Sequence, residues 1–252
     1  MVDGKIAAIT DGGGASAADM DRFQQQLWDP FGAWMDVQHH DDVPIMFADD
    51  TPTEQSIALW DQRLSEWVAL RLAAEREATN FLEAFAAFDA DTAGALLAEG
   101  ATTDQIVTED VQDYQQAIAL YEAWGYKQQL EACRQVNATA TALQVQCQFS
   151  YDLLGSDEMG LGPFDGSRFV VTVDSASGLI TDVTNVWNGT DFSREVSDPF
   201  TSWMVSTYPD DLAVMSVEGG PSLTPESLAL WAQHRQEYVQ YVLDGTPSTT
   251  AA

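Results

Sequence analysis

The chain has 252 residues, of which 40 are acidic and only 10 basic, so its formal net charge at pH 7 is −30. Hydrophobic residues make up 45% of it, which is enough for a core and excludes a chain that is disordered throughout. The shortage of basic residues excludes nucleic acid as an expected partner, because phosphate binding needs clustered lysine and arginine.

The acidic residues are spread along the chain, and the only lysines are Lys5 and Lys127. Because lysine is scarce while the apolar content is ordinary, the composition favours adaptation to a saline environment. An acidic surface that serves only solubility is nearly as well supported. A dedicated surface for a basic partner is the least favoured interpretation, because the sequence has no dominant acidic run.

No stretch of sequence reaches the roughly 18 apolar residues of a membrane helix. Residues 1–14 also lack the charged and then apolar pattern of a signal peptide. We therefore expect a soluble protein without a membrane partner, either cytoplasmic or secreted after processing.

One segment occurs twice, at residues 29–69 (the first tail) and 198–240 (the second tail). Both copies begin with Asp-Pro-Phe-x-x-Trp-Met and continue through Asp-Asp and Met to Ser-x-Ala-Leu-Trp-x-Gln. Over residues 29–47 and 53–69, 16 of 36 aligned positions are identical, whereas chance gives roughly two at ordinary amino-acid frequencies. Each tail is predicted to be a helix-loop-helix anchored by two tryptophans: Trp34 and Trp60 in the first, Trp203 and Trp231 in the second.

A fainter similarity precedes each tail, since Gly4-x-Ile6-x-x-Ile9-Thr10 resembles Gly178-x-Ile180-x-x-Val183-Thr184. The second tail follows a complete domain, residues 71–192 (the body), whereas the first tail follows only this strand-like run. We expect residues 1–70 to be an orphan copy of the tail element, 193–245 its second copy, and 246–252 a disordered C-terminus. Either the first tail packs on another face of the same body, or the chain is a truncated member of a two-domain design.

From Thr53 onward, apolar residues recur every three or four positions, which predicts one long helix with a single buried stripe. Only Arg71 interrupts the stripe. Such a helix would join the first tail directly to the body. Asp91 is then expected to cap a short helix over residues 92–98. A further helix is predicted from Asp110 to Trp124, ended by Gly125.

Beyond this point the apolar period changes to two, which predicts strands at residues 128–136, 143–154, 167–173 and 179–187. Turn-forming residues separate them, including the glycine-rich stretch 155–166. Helices followed by a run of hairpin-linked strands are typical of an α+β fold with an antiparallel sheet.

The segment Phe81-Leu82-x-Ala84-Phe85-x-x-Phe88-Asp89-Ala90-Asp91, followed by Leu96-Leu97-Ala98, resembles the opening of nuclear transport factor 2-like domains. The later helix and strands resemble the rest of that domain, so the resemblance covers the body. It implies helices packed on a curved antiparallel sheet that encloses a cone-shaped pocket. The family includes ketosteroid isomerases, epoxide hydrolases, polyketide cyclases and binding or dimerisation modules, so it implies a fold and no single function. The tail is not part of that common domain.

Five aromatic residues are expected to line such a pocket, although an aromatic stripe more often forms core. We favour a non-enzymatic small-molecule-binding or scaffold protein with a small apolar ligand, and a homodimer is compatible with this hypothesis. The alternative is an isomerase or hydrolase of a small apolar substrate. Two or more ionisable side chains converging in one pocket would favour the enzyme, and an all-aromatic pocket would favour binding. The five residues are Phe85, Tyr114, Trp124, Tyr151 and Trp187.

Asp182, on the last predicted strand, is a candidate general base. It alternates with Val183, which lies on the more apolar face of that strand, so we expect Asp182 to point outward. Arg168 and Asp152 could belong to an Asp-Arg-Asp arrangement like that of the epoxide hydrolases, but a surface ion pair is the simpler interpretation. The hydrolytic motif of that family is not matched residue by residue.

The only cysteines, Cys133 and Cys147, lie seven residues on either side of Ala140. A hairpin that turns at Ala140 places them directly opposite, where a cross-strand disulfide is geometrically feasible. An oxidised pair and two buried thiols are about equally supported.

His39-His40-Asp41-Asp42 has the side chains of a metal site. The second tail lacks both histidines at the same places, so we predict a surface turn and no metal. Gly12-Gly13-Gly14 lacks the lysine and serine or threonine of a phosphate loop and is interpreted as a linker. No cofactor is expected.

Overall fold

A computed structural model describes residues 17–47, 52–105, 114–217 and 220–245. The strand-like run at residues 4–10, the glycine linker at 12–14 and the C-terminal segment 246–252 lie outside the described residues. Within the described ranges, no helix combines the length and the apolar character needed to cross a membrane.

The first tail and the residues before it form short helices. Helix α1 spans Ala17–Phe23, a π-helical turn follows at Gln24–Trp28, α2 spans Asp29–Gln38 and α3 spans Val43–Met46. Pro30, near the start of α2, suits a position where the backbone amide has no helical partner.

Helix α4 spans Glu54–Ala86 and confirms the predicted long helix. Thr53 caps it: its hydroxyl accepts a hydrogen bond from the Ser56 amide (3.0 Å), and the Ser56 hydroxyl accepts one from the Thr53 amide (2.9 Å). At 1.5 Å per residue the helix is about 50 Å long. Its first half belongs to the first tail, and its second half packs on the sheet of the body.

The predicted helix at residues 92–98 is wrong in its bounds. Helix α5 spans Ala90–Ala95, and its cap is Asp89, whose carboxylate accepts a hydrogen bond from the Thr92 amide (3.0 Å). A strand that the sequence reading missed, β1, follows at Leu97–Gln105. Because of its polar residues and Gly100, this segment shows no clear alternation of apolar and polar positions, so the sequence did not predict a strand there.

Helix α6 spans Tyr114–Trp124, and residues 106–113, which include the predicted start at Asp110, lie outside the described residues. The helix ends at Gly125, whose φ of +68° is the left-handed conformation that glycine adopts most easily. The predicted C-cap is therefore confirmed.

Four strands complete the body, close to their predicted bounds: β2 (Lys127–Ala138), β3 (Ala142–Asp152), β4 (Phe164–Asp174) and β5 (Ile180–Val186). A short helix, α7 (Ser156–Met159), lies between β3 and β4. The sheet order is β1-β5-β4-β3-β2. All pairs are antiparallel except β1 with β5, so the expected purely antiparallel sheet is corrected to a mixed one. The α+β class is confirmed.

The strands alternate as a half-buried sheet should. Residues on the inner face pack against α4 and α6, and the outer face carries polar side chains such as Gln146, Gln148 and Thr172. The fully buried inner residues of β3 and β4 are Leu143, Val145, Cys147, Phe149, Phe169, Val171 and Val173.

The matching π-helical turns show that the tail element begins before the repeated sequence, so from here the first tail means residues 17–69, the second tail residues 190–245 and the body residues 71–189. Helix α8 spans Thr190–Phe192, a second π-helical turn occupies Ser193–Ser197, α9 spans Asp198–Thr207 and α10 spans Pro209–Met215. A small hairpin, β6 (Ser216–Val217) and β7 (Gly220–Pro221), leads to the last helix, α11 (Pro225–Gly245).

Both tails use matching contacts inside. The indole nitrogen of Trp60 donates to the Met46 carbonyl oxygen (3.1 Å), and that of Trp231 donates to the Met215 carbonyl oxygen (3.3 Å). The Trp60 ring lies 5.8 Å from Phe31 in the first tail, and the Trp231 ring lies 5.8 Å from its counterpart, Phe200, in the second. Each tail is thus held by an aromatic pair and one backbone acceptor.

Candidate functional site

The interior of the body is filled by aromatic side chains. Phe85 of α4, one of the predicted pocket residues, is completely buried and lies 5.5 Å from the Tyr121 ring and 6.2 Å from the Phe169 ring. Phe149 and Phe169 stack at 4.8 Å beneath them. These rings fill the interior of the body, and Phe85 is part of its core.

Three tyrosines share this interior. The rings of Tyr121 and Tyr126 lie 4.4 Å apart, and Tyr151 lies 6.5 Å from Tyr126. Burial raises the pKa of Tyr121 and Tyr126, and it raises the pKa of Tyr151 to about 12. The three phenols therefore stay protonated at neutral pH and can act as hydrogen-bond donors but not as bases. The Tyr151 hydroxyl donates to the Asn188 carbonyl oxygen (3.2 Å).

The candidate catalytic residues do not converge. Asp182 lies opposite Thr172 on the outer face of the sheet, as expected. Arg168 also lies on the outer face, beside Gln148. Asp152, at the end of β3, accepts a hydrogen bond from the Ser156 hydroxyl (2.7 Å) and so helps to fix the turn into α7.

Arg168 lines a groove of about 420 Å³ on the outer face of the sheet, together with Glu131 and Asp165. Both acids are exposed to solvent. Catalytic carboxylates are typically placed where burial or close charges tune them, so this groove is better described as a hydrated polar surface.

A second concavity lies where the body meets the second tail, and we call it the aromatic cleft. Its volume is about 270 Å³. Trp124 from the end of α6 and Trp187 from the end of β5 form the body side, and Phe192, Phe200 and Trp231 form the tail side. The remaining lining residues are Leu153, Leu154, Gly189, Ser193, Ser197 and Thr201.

Local structure places each wall of the cleft. Trp124 lies where α6 stops at Gly125, and its ring meets the Trp231 ring edge to face at 5.5 Å. Trp187 follows directly after β5, is 37% exposed and lies 5.7 Å from the Phe192 ring. Phe200 stacks on Trp231 from the tail side. The cleft is therefore framed by rigid helix and strand ends.

The polar groups of the cleft are few. The hydroxyls of Ser193, Ser197 and Thr201 lie on the tail wall, and none of the residues that line the cleft has an ionisable side chain. The indole nitrogen of Trp124 is buried and has no hydrogen-bond partner within the part of the chain that the structure describes.

Of the five aromatic residues predicted from the sequence, Trp124 and Trp187 line the aromatic cleft. Tyr151 lies directly behind Trp187 (5.4 Å between rings). Tyr114 lies at the opposite end of α6, with its hydroxyl against Gly94. The three tail aromatics, Phe192, Phe200 and Trp231, were not predicted as lining. Phe200 and Trp231 belong to the repeated Asp-Pro-Phe and Ala-Leu-Trp motifs, and of the two only Trp231 was predicted, as an anchor of the tail.

The remaining predicted positions lie away from the cleft. Cys133 and Cys147 are directly opposite in the β2–β3 hairpin, as the spacing predicted, and they are joined as a disulfide. His39 and His40 lie at a turn, and no cluster of metal-binding side chains occurs among the described residues.

No family model matches the chain, and no curated protein matches it. Solved structures of provisionally assigned polyketide cyclases match about half of it. That of Xanthomonas campestris pv. campestris is 22% identical, with a TM-score of 0.36, over 49% of this chain and 96% of the other. That of a Silicibacter species is 22% identical, with a TM-score of 0.35, over 49% and 95%. That of Pseudomonas putida is 23% identical, with a TM-score of 0.33, over 48% and 96%. Similarity at this level gives no information on ligand or reaction.

Proposed function

We propose that this protein binds a small, largely apolar molecule in the aromatic cleft, without chemical conversion. The observation that carries the proposal is the convergence of Trp124, Trp187 and Trp231 on one cavity of about 270 Å³. Sites for small molecules are typically concave, mostly apolar and equipped with a few polar groups that fix orientation. The aromatic cleft has this composition.

The cleft also limits the chemistry of the ligand. Its volume lies near the lower end of the range of about 300–1,000 Å³ typical of ligand sites, which favours one or two fused rings. Aromatic walls favour a flat ligand that can stack or pack edge to face. The hydroxyls of Ser193, Ser197 and Thr201 can pair with a polar group such as a carbonyl oxygen. A net charge of −30 and a lining without basic groups disfavour an anionic ligand.

Binding is preferred over an isomerase or hydrolase because the cleft's lining residues offer no acid or base. General acid–base catalysis needs a titratable group within hydrogen-bond reach of the reacting atom. Asp182, Arg168 and Asp152 lie on the outer face of the sheet or at a turn, outside this lining.

The first tail suggests a test of the site. Ser197, which lines the cleft, is replaced in the first tail by Trp28 at the same place in the π-helical turn. We expect Ser197→Trp to fill the cleft while keeping a side chain that the tail element tolerates. The matched control is Ser206→Trp, an exposed serine at the other end of α9.

The probe is prodan, a neutral naphthalene with a carbonyl acceptor, whose emission shifts to the blue in an apolar site. Wild-type protein and the Ser206→Trp variant should bind it with the same Kd, and Ser197→Trp should weaken binding at least tenfold. Equal binding by all three proteins, or none by the wild type, would contradict the proposal. Circular dichroism confirms that each variant is folded.

A further inference from the structure

The second tail docks on the body through four side chains. Phe192 is held by the rings of Tyr151, Phe164 and Trp187, at 5.9, 5.5 and 5.7 Å. Trp231 meets Trp124. Arg235 lies over Gly125, and a methyl group of Val239 lies against Gly155, so both glycines leave room for the tail. We call this surface of the body the tail seat: Trp124, Gly125, Tyr151, Gly155, Phe164 and Trp187.

The first tail has closely matching side chains at these four positions. Phe23 precedes its π-helical turn as Phe192 precedes the second one. Along α4, Trp60, Leu64 and Val68 occupy the positions that Trp231, Arg235 and Val239 occupy along α11. Three of the four seat-contacting positions are therefore identical in the two copies.

The surroundings of these side chains differ. Phe192 is 4% exposed in the tail seat, whereas Phe23 is 47% exposed. Val239 is buried against Gly155, whereas Val68 is only half-buried. The aromatic surface around Phe23 is continuous, because Phe23 stacks near Trp28 (6.5 Å), and Trp28 stacks on Trp60 (5.7 Å). An exposed apolar surface of this kind marks an interaction site.

The tail seat of this chain's own body is already filled by the second tail. A second copy in the same conformation therefore offers no vacant seat. We infer that the first tail is a docking surface for another α+β domain that carries a vacant aromatic seat of the same design. The second tail on its seat is the template for this complex, and the inference does not rest on ligand binding in the aromatic cleft.

The fit of the first tail to such a seat can be tested inside this chain. Arg235→Leu gives the second tail all four seat-contacting side chains of the first, since Leu64 is the one that differs. The buried Nε of Arg235 has no hydrogen-bond partner within the described residues, so leucine removes an unpaired donor. We expect Tm to stay within about 3 °C of the wild type or to rise. A fall of more than about 10 °C would show that the first tail does not fit.

Val239→Asp is the control, because a carboxylate against Gly155 should unseat the tail and lower Tm strongly. If this variant were as stable as the wild type, the contacts of the tail seat would not hold the second tail in place. The second tail could then not serve as the template for docking of the first.

Docking itself is tested with the full chain. Phe192→Ser combined with Trp231→Ser vacates the tail seat, and sedimentation velocity then follows its mixture with wild-type protein. We expect a 1:1 complex that is lost when the second protein carries Phe23→Ser and Trp60→Ser. If no complex forms, or if Phe23→Ser and Trp60→Ser leave it intact, the inference is overturned.

Sedimentation velocity is also measured on wild-type protein alone. Self-association that Phe23→Ser abolishes would make a second copy, face to face, the occupant and would overturn the inference. Far-UV circular dichroism checks the vacated variant. If the double variant is unfolded, Phe192→Ser alone replaces it in the mixture. The Arg235→Leu measurement tests the fit of the first tail's side chains whether or not the double variant folds.

Discussion

The two tails have the same internal scaffold and different surroundings. In both, a phenylalanine ring packs on a tryptophan whose indole nitrogen donates to a methionine carbonyl oxygen. The second tail buries Trp231 against the body, where it is 9% exposed, whereas Trp60 is covered by Trp28 and Phe47 from its own tail. The tail's internal contacts therefore set its shape, and the surface on which it packs decides which of its aromatic side chains are buried.

The places where the tails differ support this view. Trp28 and Phe47 of the first tail correspond to Ser197 and Ser216 of the second. Ser197 lines the aromatic cleft, and its side chain is small enough to leave the cleft open beside the body. In the first tail, the two aromatic rings cover Trp60 instead, at 5.7 and 5.0 Å.

The largest effect is expected from the anchoring tryptophans. Trp231→Ala removes a buried ring that contacts both Phe200 and Trp124. It should lower the free energy of unfolding by about 3–5 kcal/mol. Trp60→Ala removes ring contacts with Phe31, Trp28 and Phe47, but from a half-buried position, so it should cost less than Trp231→Ala. Urea unfolding monitored by circular dichroism measures both.

Each substitution loses one hydrogen bond to a methionine carbonyl oxygen, so that loss cancels in the difference. Equal destabilisation of the two variants in a monomeric sample would show that the first tail is packed as completely as the second. The proposed difference between the surroundings of the two tails would then be wrong.

The next effect concerns the hairpin between the tails. Cys133 and Cys147 are bridged across β2 and β3 with a sequence separation of 14. A loop of this length constrains the unfolded chain by about 3 kcal/mol. We expect the double variant Cys133→Ser, Cys147→Ser to lose about this amount in urea unfolding, with both tails still folded. Two titratable thiols in never-reduced, denatured wild-type protein would contradict the bridge.

The sequence predicted most elements because apolar periodicity and turn residues agreed. The three-to-four spacing from Thr53 predicted α4, and the change to a period of two predicted four strands. Strand β1 was missed because it lacks that alternation. Its parallel partner, β5, lies far away in sequence, so no hairpin turn signalled the pairing.

The candidate site was only partly predictable. Trp124 and Trp187 were identified because both are large aromatics at element ends within the body. The other wall of the cleft comes from the second tail, and no spacing rule relates Trp231 to Trp124 across more than 100 residues. Only the docking of α11 on α6 brings them together.

The smallest expected effect lies in the charged centre of each tail. Arg63 donates to Asp42 (2.6 Å) and to Glu66 (2.7 Å). In the second tail the same place is taken by His234, which is completely buried and contacts two carboxylates. These are Asp211 at 2.9 Å from Nε2 and Glu237 at 2.8 Å from Nδ1.

The pH dependence of the second tail follows from this geometry. Asp211, Glu237 and the Tyr208 ring all face His234. Desolvation opposes the ionisation of Glu237, but hydrogen bonds from Gln233, His234 and Tyr208 outweigh it and lower its pKa. The Glu237 contribution is therefore lost only when pH falls below the ordinary glutamate range of about 4.3.

We expect wild-type protein to lose this contribution of Glu237 as pH falls below about 4.3. Glu237→Gln removes the carboxylate, so the variant should be less stable than wild type near neutral pH and should differ less from it at acidic pH. Glu66→Gln is the matched variant in the first tail, because hydrogen bonds from Gln62 and Arg63 lower the pKa of Glu66. Urea midpoints of the three proteins, measured at neutral pH and below the ordinary glutamate range, test both effects. If Glu237→Gln differs from wild type by the same amount at the two pH values, the Glu237 carboxylate makes no such contribution.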